Sequence, residues 1–323
     1  MLCKNIYIYL AFKSLCDSMK ETNFKIPIDF QTYSSSNTIF GVEYSKEITD
    51  ADVVFIGIPF DLSTSYRSGA RFAPSKIREV SRIISGVDFF IRREIFKEIT
   101  LKDFGDIEVY YDIEKSIKKI ENDIYGILGK NRIIIAGGDH LITYSVLKAL
   151  NKKFGKINLL DLDAHIDSWN TVNHNSLNHG TWLRRTIEEG ILKNVYQVGI
   201  RGSIYSSKDL EFLKNNNINI IDIRKFKNNG IENIAREINK NLCDERFYLT
   251  IDIDVVDPAY APATGIPEPG GLSSFEIMEF LRHLDFNNFI GGDIVEVSPP
   301  YDVSDITSIL AANLFFIMLS KLP

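Results

Sequence analysis

The chain has 323 residues, of which 45% are hydrophobic and 25% charged, the composition of an ordinary globular protein with a sizeable core. The formal net charge of −6 argues against a nucleic-acid-binding surface, because such a surface is basic. Three widely spaced cysteines, Cys3, Cys16 and Cys243, include no CxxC pair, so we predict reduced thiols in a cytoplasmic protein rather than a disulfide framework.

The N-terminal segment carries a short apolar run at residues 6–12, flanked by Lys4 and Lys13. This run resembles the apolar part of a signal peptide, but tyrosines interrupt it and no small-residue cleavage site follows. It is also too short to cross a bilayer. We therefore predict an N-terminal extension over residues 1–36 with no membrane role, and Met19 is an alternative translation start.

Apolar strands alternate with helices from residue 51 onward. The pattern predicts strands at 53–58, 132–136, 157–162, 195–200, 218–223, 247–253 and 289–295. It predicts helices at 75–84, 112–128, 141–150, 181–189, 207–214, 231–241, 273–284 and 304–319. Continuously apolar strands between helices indicate a mostly parallel sheet covered on both faces. Because no change in composition divides residues 37–323, we predict one domain of three-layer α/β/α architecture.

Acidic residues and histidines mark the ends of three of these strands. After the strand at 157–162, Asp163, His165 and Asp167 occupy alternate positions, and alternate residues of an extended chain point to the same side. Ligands of parallel sheets bind beyond the carboxyl ends of the strands, so we predict that the three strand ends share one metal site. The candidate ligands are His140, Asp163, His165, Asp167, Asp252 and Asp254.

Two histidines and four aspartates are more ligands than one zinc ion takes, and they suit a site for two metal ions. Carboxylate oxygens with imidazole favour Mn²⁺, with Fe, Co or Ni as alternatives. Metal ions lower the pKa of water to about 7, so such a site generates hydroxide near neutral pH. Since four aspartates balance the charge of two divalent ions, the added hydroxide favours a cationic electrophile.

Other interpretations of these segments fit less well. The aspartates at 252, 254 and 257 lack the glycine and terminal glutamate of a calcium-binding EF-hand loop. The glycines at 137 and 138 belong to neither a GxGxxG nor a GK[ST] nucleotide motif. We predict that Asp161 and Asp257 support the ligands or form turns, and that Asp139 orients His140 or a neighbouring loop.

Five motifs carry a family resemblance, and they occur in family order: GGDH at 137–140, DAHID at 163–167, DIDVVDP at 252–258, ATGIPEPGGL at 263–272 and DIVEV at 293–297. In these motifs the chain resembles the ureohydrolases, which include arginases and agmatinases, over most of residues 51–323. The resemblance implies an arginase/deacetylase-like fold, two Mn²⁺ per subunit on the six candidate ligands, and a homotrimer or homohexamer. It also implies hydrolysis of a guanidinium group to urea and an amine.

Two catalytic residues follow from the same resemblance. His179 matches the family's proton-shuttle histidine, and histidine suits this role because it titrates near neutral pH and an amine leaves poorly without a proton. Glu296 matches the family's guanidinium-binding carboxylate, and planar guanidinium takes bidentate carboxylate contacts well. The alternatives are a packing role for His179 and a structural ion pair for Glu296.

Within the family, the segments RSGARFAP at 67–74, HGTWLRR at 179–185 and PEPGG at 267–271 favour an agmatinase. The loop SWNTVN at 168–173 does not match the loop with which arginases hold an amino acid. We therefore predict that the small cationic substrate is agmatine and that the products are urea and putrescine, a step of polyamine biosynthesis. Leu141 and Ile166 occupy positions where family members often have Ser and Thr. These departures leave open which guanidino compound is the substrate.

Three alternatives to an agmatinase remain. A related ureohydrolase would act on guanidinobutyrate, guanidinopropionate, aminopropylagmatine or guanidine. A zinc deacetylase would keep one metal ion and would not need His140 and Asp254. A non-catalytic binding protein would have no reason to retain the full ligand set.

Overall fold

A sheet of eight parallel strands organises the part of the chain that the computed structural model describes, residues 37–242 and 244–323. The strands are β1 (Val53–Gly57), β2 (Leu101–Asp106), β3 (Arg132–Ala136), β4 (Ile157–Leu162), β5 (Leu192–Val198), β6 (Asn219–Ile221), β7 (Phe247–Asp252) and β8 (Phe289–Val295). Their spatial order is β2-β1-β3-β8-β7-β4-β5-β6. The predictions for residues 1–36 and for Cys3, Cys16 and Cys243 lie outside the described residues.

Helices cover both faces of this sheet. They are α1 (Ala73–Ser81), α2 (Ile95–Glu98), α3 (Ile113–Ile127), α4 (Leu141–Phe154), α5 (Trp182–Glu188), α6 (Ser207–Asn215), α7 (Ile223–Asn229), α8 (Ile231–Leu242), α9 (Ser274–His283) and α10 (Ile306–Ser320). Apolar residues of α3, α4 and α5 pack in one core cluster, and those of α1, α7, α8, α9 and α10 pack in another.

Alternation along the strands separates these two clusters. In β1, Val54 and Ile56 belong to the cluster with α3, α4 and α5, and Val53 and Phe55 belong to the cluster with α1 and α10, because successive side chains of a strand point to opposite faces. All five residues of β1 are buried, as expected for a strand covered on both sides. The predicted three-layer α/β/α fold with a parallel sheet is therefore confirmed.

Local sequence signals set the helix boundaries. The side chain of Asp112 accepts a hydrogen bond from the Lys115 N–H and caps α3, whose Ile117, Ile120 and Ile124 are buried at helical spacing. Helix α9 begins with a capping box in which Ser273 and Glu276 satisfy each other's backbone N–H groups. None of the helices within residues 37–242 and 244–323 has the length and apolarity needed to cross a membrane.

Strand β2 and helices α2 and α7 were not predicted. Strand β2 has the polar sequence LKDFGD, because it lies at the edge of the sheet, with β1 on one side and an isolated bridge from Tyr44 to Asp103 on the other. Its buried Asp103 accepts hydrogen bonds from the Arg78 side chain and from the Ile39 N–H. Strand β6 ends two residues before its predicted end, because Asp222 caps α7 by accepting from the Lys225 N–H.

Candidate metal and substrate site

Four adjacent strands in the middle of the sheet, β3, β8, β7 and β4, end at one edge, and residues at or just beyond these four ends form the site. A close backbone approach shapes its first side. The Asp139 N–H donates to the Phe60 carbonyl at 2.7 Å, and a Cβ on Gly138 would overlap that carbonyl. The Asp139 carboxylate also accepts from the Ser63 N–H at 2.9 Å, so it fastens the loop that follows β1.

His140, at the start of α4, is the centre of the first ligand group. Its Nδ1 atom lies 3.3 Å from Asp163 Oδ2, 3.2 Å from Asp167 Oδ2 and 3.3 Å from Asp252 Oδ2. The side chains of all four residues are at least nine-tenths buried. One nitrogen and three carboxylate oxygens therefore converge on a volume of a few ångströms.

His165 forms the second ligand group. Its Nδ1 atom lies 2.9 Å from Asp254 Oδ2 and 3.7 Å from Asp163 Oδ1. Asp163 thus belongs to both groups. Within the described chain, two sets of residues have the spacing needed to hold a metal ion: His140, Asp163 and Asp167, and Asp163, His165 and Asp254. The structure brings all six predicted ligands together, since Asp252 also accepts from the Asp254 N–H at 2.9 Å.

The buried aspartates of the two ligand groups concentrate negative charge, which is unfavourable without a bound cation. Burial raises the pKa of Asp163 well above its usual range, and the charges of Asp167 and Asp254 raise it further. Burial also raises the pKa of Asp252, with the same help from Asp254 and Asp163. Burial of His140 opposes its charged form, yet the carboxylates of the three aspartates close to its ring hold its pKa well above the usual value.

Two buried ligand atoms, His140 Nδ1 and Asp163 Oδ2, have no hydrogen-bond partner among the described residues. Buried polar atoms are rarely left unpaired, so these two indicate a missing ligand. A divalent cation would satisfy both atoms and neutralise the aspartates. The donor set of carboxylate oxygens and imidazole nitrogens fits Mn²⁺ or a neighbouring transition metal.

A buried hydrogen-bond chain stands behind His140. The His140 Nε2 atom lies 2.9 Å from Thr250 Oγ1, and the Thr250 hydroxyl donates to Asp293. Asp293 also accepts from Thr143 Oγ1 at 2.8 Å and from the Tyr248 hydroxyl at 2.9 Å. The chain fixes the ring so that Nδ1 faces the aspartates, as outer hydrogen bonds do for metal-binding histidines. Sequence analysis assigned no role to these residues, although an aspartate inside the buried strand β8 requires partners.

His179 and Glu296 form a second pair beside the ligand groups. Glu296 has φ of 61°, a strained backbone conformation of the kind that clusters at functional sites. Its Oε1 atom accepts from the His140 N–H at 2.9 Å and lies 3.0 Å from His179 Nδ1. Its Oε2 atom is buried and has no partner among the described residues.

The other side of the His179 ring meets the loop after β1. Ser65 Oγ lies 2.8 Å from His179 Nε2, and the Ser65 N–H lies 3.2 Å from it. A hydroxyl can donate to the neutral ring or accept from the charged one, so Ser65 serves both protonation states. Burial lowers the pKa of His179, but the Glu296 charge more than offsets this effect, and the pKa is raised to about 9.

The cleft above the cluster is lined by His165, Asp167, Trp169, His179, Gly180, Asp252, Asp254, Ile266 and Glu296. Trp182 supports its floor by donating its indole N–H to Asp167 Oδ2 at 2.8 Å. Ser65 was missed by sequence analysis, because it approaches His179 across 114 residues of chain and belongs to no ligand motif. A histidine–aspartate cluster at the carboxyl ends of a parallel sheet, next to a histidine–glutamate pair, defines a metal-binding enzyme of α/β/α architecture.

Comparisons with known proteins identify the family. The family model described as "Arginase family" matches residues 51–320. The chain is 36% identical to the guanidinobutyrase of Pseudomonas aeruginosa, over 87% of this chain and 90% of that protein. It is also 36% identical to the mitochondrial agmatinase of Gallus gallus, over 84% and 81% of the two chains.

The structure is similar to proclavaminate amidino hydrolase from Streptomyces clavuligerus, with a TM-score of 0.86 at 34% identity over 90% of this chain and 98% of that one. The chain belongs to the arginase family. It is a ureohydrolase of that family.

Proposed function

We propose that this protein binds the guanidinium group of a short linear substrate at Glu296 and hydrolyses it to urea and a primary amine. The observation that carries this proposal is the Oε2 atom of Glu296, which is buried beside the two ligand groups and has no hydrogen-bond partner within residues 37–242 and 244–323. A guanidinium ion presents paired N–H donors in one plane and therefore suits a carboxylate. Binding would satisfy Oε2 and would hold the guanidinium carbon over the aspartate cluster.

We propose that His140, Asp163, Asp167 and Asp252 hold one divalent ion and that Asp163, His165 and Asp254 take part in holding a second. Mn²⁺ is the metal that this oxygen-rich set favours. When bound, such ions lower the pKa of water and so supply hydroxide near neutral pH.

The protein's own residues handle the proton. His179 lies between Glu296 and Ser65, and its raised pKa keeps a proton on the ring at neutral pH. An amine leaves poorly without a proton. The bond between the former guanidinium carbon and the nitrogen of the leaving amine therefore breaks when His179 delivers its proton to that nitrogen. The Ser65 hydroxyl then donates to the neutral ring and holds its orientation.

The substrate tail separates two candidates. Sequence motifs favour agmatine, whose hydrolysis gives putrescine for polyamine biosynthesis. A guanidino acid such as 4-guanidinobutyrate is the second candidate, because Trp169 lines the cleft and its buried indole N–H has no hydrogen-bond partner among the described residues. The guanidinobutyrase and the agmatinase share the same identity with this chain, so identity does not separate the two.

Urea release tests the reaction. Purified protein loaded with Mn²⁺ is offered agmatine, 4-guanidinobutyrate, arginine and guanidine in parallel, and the amine that appears with urea identifies the substrate. Asp252→Ala is expected to lower both the number of bound metal ions and turnover, whereas Asp285→Ala, on a surface loop, serves as the control. Full activity of Asp252→Ala with unchanged metal content would refute the assignment. One bound zinc ion without urea release would favour the deacetylase alternative.

We further propose a homo-oligomer, a trimer or hexamer, that works in the cytoplasm. The family resemblance supports the assembly, and light scattering coupled to size-exclusion chromatography measures it. A monomeric mass across the working concentration range would refute this part of the proposal.

A further inference from the structure

We propose that Trp169 makes the protein selective for a guanidino substrate whose other end is a carboxylate. This inference rests on the proposed function, because it names the substrate class of the same cleft. It favours 4-guanidinobutyrate and related guanidino acids over agmatine, which the sequence motifs favour.

Trp169 is 9% exposed and lines the cleft, yet its indole N–H has no hydrogen-bond partner among the described residues. An indole nitrogen can only donate, so the missing partner must be an acceptor. Trp182 provides a comparison within the same site, since its N–H donates to Asp167 at 2.8 Å. Of these two tryptophans, Trp182 has a partner for its N–H and Trp169 has none in the part of the chain that the structure describes.

Contacts on two sides hold the Trp169 ring in place. The Tyr205 ring packs against it with centroids 4.5 Å apart. Its six-membered ring lies so close to the Cα of Gly180 that a Cβ there would overlap it. Gly180 directly follows His179, so the position of the indole is tied to the position of the proton-carrying residue.

The two candidate substrates differ in the group that their far end could present to the Trp169 N–H: an ammonium in agmatine and a carboxylate in a guanidino acid. The ammonium group of agmatine carries only donors and cannot accept from an indole. A carboxylate carries only acceptors when ionised, and a hydrogen bond to a charged group is stronger than a neutral one. With its guanidinium on Glu296, a guanidino acid would direct its carboxylate away from the aspartates and toward the cleft wall.

A cation on the loop after β1 favours the same tail. The guanidinium of Arg67 lies 5.4 Å from the Tyr66 ring centroid and 5.2 Å from that of Tyr301, and it has no ion pair within residues 37–242 and 244–323. Arg67 follows Ser65 by two residues, and a Cβ on Gly265 would contact both the Arg67 carbonyl and Glu296 Oε2. A positive charge on this loop attracts a carboxylate and repels an ammonium.

The test compares tails on the Mn²⁺-loaded enzyme. Values of kcat/KM are measured for 4-guanidinobutyrate, agmatine and 1-butylguanidine, which share the guanidinium and differ at the far end. We expect 4-guanidinobutyrate to exceed agmatine by tenfold or more. Trp169→Phe is expected to lower the ratio of 4-guanidinobutyrate to butylguanidine by about tenfold, the effect of one lost hydrogen bond to a charged group.

A second variant separates the N–H from the ring volume. Site-specific replacement of Trp169 by benzothienylalanine keeps the bicyclic shape and removes the donor, and we expect the same loss in the ratio. Tyr205→Phe, which keeps the ring contact, is the matched control and should leave the ratio within twofold. Arg67→Met should lower the ratio and Arg67→Lys should restore most of it.

The outcomes separate this inference from the proposed function. Urea from agmatine in preference to 4-guanidinobutyrate, or a ratio unchanged by loss of the indole N–H, would overturn the role of Trp169 and leave the hydrolysis intact. No urea from any of the three substrates, with two metal ions bound, would instead refute the proposed function.

Discussion

The Nδ1 atom of His179 lies 3.0 Å from the Oε1 atom of Glu296, while the Oε2 atom of the same carboxylate is unpaired among the described residues. One carboxylate therefore contacts the group that carries the proton and retains an open oxygen for the substrate. Substrate binding and proton delivery are coupled through this side chain, because a guanidinium on Oε2 reduces the negative charge that His179 experiences. The coupling lowers the pKa of His179 when substrate is bound and so favours release of its proton.

The first prediction concerns Glu296→Gln. We expect kcat/KM to fall by about 10- to 100-fold, because the charge-assisted hydrogen bond between the guanidinium and Oε2 is lost. The pKa of His179 should fall from about 9, since burial then acts without the opposing Glu296 charge. Nitrogen NMR of the imidazole ring in metal-free protein measures this pKa, and Glu279→Gln is the control. An unchanged His179 pKa would contradict the coupling.

The second prediction concerns Ser65→Ala, which removes the hydroxyl at 2.8 Å from His179 and keeps the backbone N–H. We expect kcat to fall by about fivefold, since the neutral ring loses one hydrogen bond worth roughly 1 kcal/mol. The alkaline limb of the pH–rate profile should shift as well, because the charged ring loses its acceptor. Ser85→Ala, on an exposed turn, is the control. A profile identical to that of the unmodified enzyme would exclude Ser65 from the proton path.

The third prediction concerns the hydrogen-bond chain behind His140, which runs through Thr250 and Asp293. Thr250→Val and Asp293→Asn should each weaken metal binding by about 10- to 100-fold, because outer hydrogen bonds orient a metal-binding histidine. Titration calorimetry with Mn²⁺ measures the affinity directly, without reference to turnover. Thr250→Ser restores the hydroxyl and should recover most of the affinity, and Thr171→Val is a surface control. Loss of folding in Thr250→Val without recovery by Ser would point to packing rather than orientation.

The ligand cluster could be predicted from sequence because its signals are local. Alternate positions after an apolar strand point to the same side, so Asp163, His165 and Asp167 can converge. Parallel strands end at one edge of the sheet, so these side chains are expected to lie close to the ends of neighbouring strands. The contacts of Ser65 and Thr250 could not be found in this way. Each joins residues more than 100 positions apart, and neither hydroxyl belongs to a ligand motif.

Two further features depend on tertiary context. Strand β2 has a polar sequence that does not indicate a buried strand. Its Asp103 can be buried because the Arg78 side chain from α1 donates a hydrogen bond to it. The Trp169 N–H lacks a partner among the described residues only because of the fold, since nothing in the sequence shows which tryptophan has an acceptor. Periodicity predicts which segments form the core, and partners across the fold decide which polar groups remain available.

The last prediction concerns metal removal and its dependence on pH. In metal-free protein, burial raises the pKa of Asp163 and of Asp252. Burial lowers the pKa of His165 and of His179, but neighbouring carboxylates more than offset this effect and raise the two pKa values to about 11 and about 9. All four groups therefore bind more protons in the folded state than in the unfolded state. Stability falls with rising pH wherever that holds, so metal-free protein should lose stability between pH 6.5 and 9, as the two histidines pass from their unfolded pKa toward their folded pKa.

Bound metal ions reverse this trend, because they replace the protons and bind more tightly as the ligands ionise. The difference in Tm between Mn²⁺-loaded and chelator-treated protein should widen from pH 6.5 to pH 9. At a free Mn²⁺ concentration of 100 times Kd, one site contributes about 2.7 kcal/mol. Differential scanning calorimetry at fixed ionic strength measures both forms, with Asp252→Ala as the variant expected to narrow the gap. A gap that stays constant across this pH range would show that protons and metal ions do not compete for these side chains.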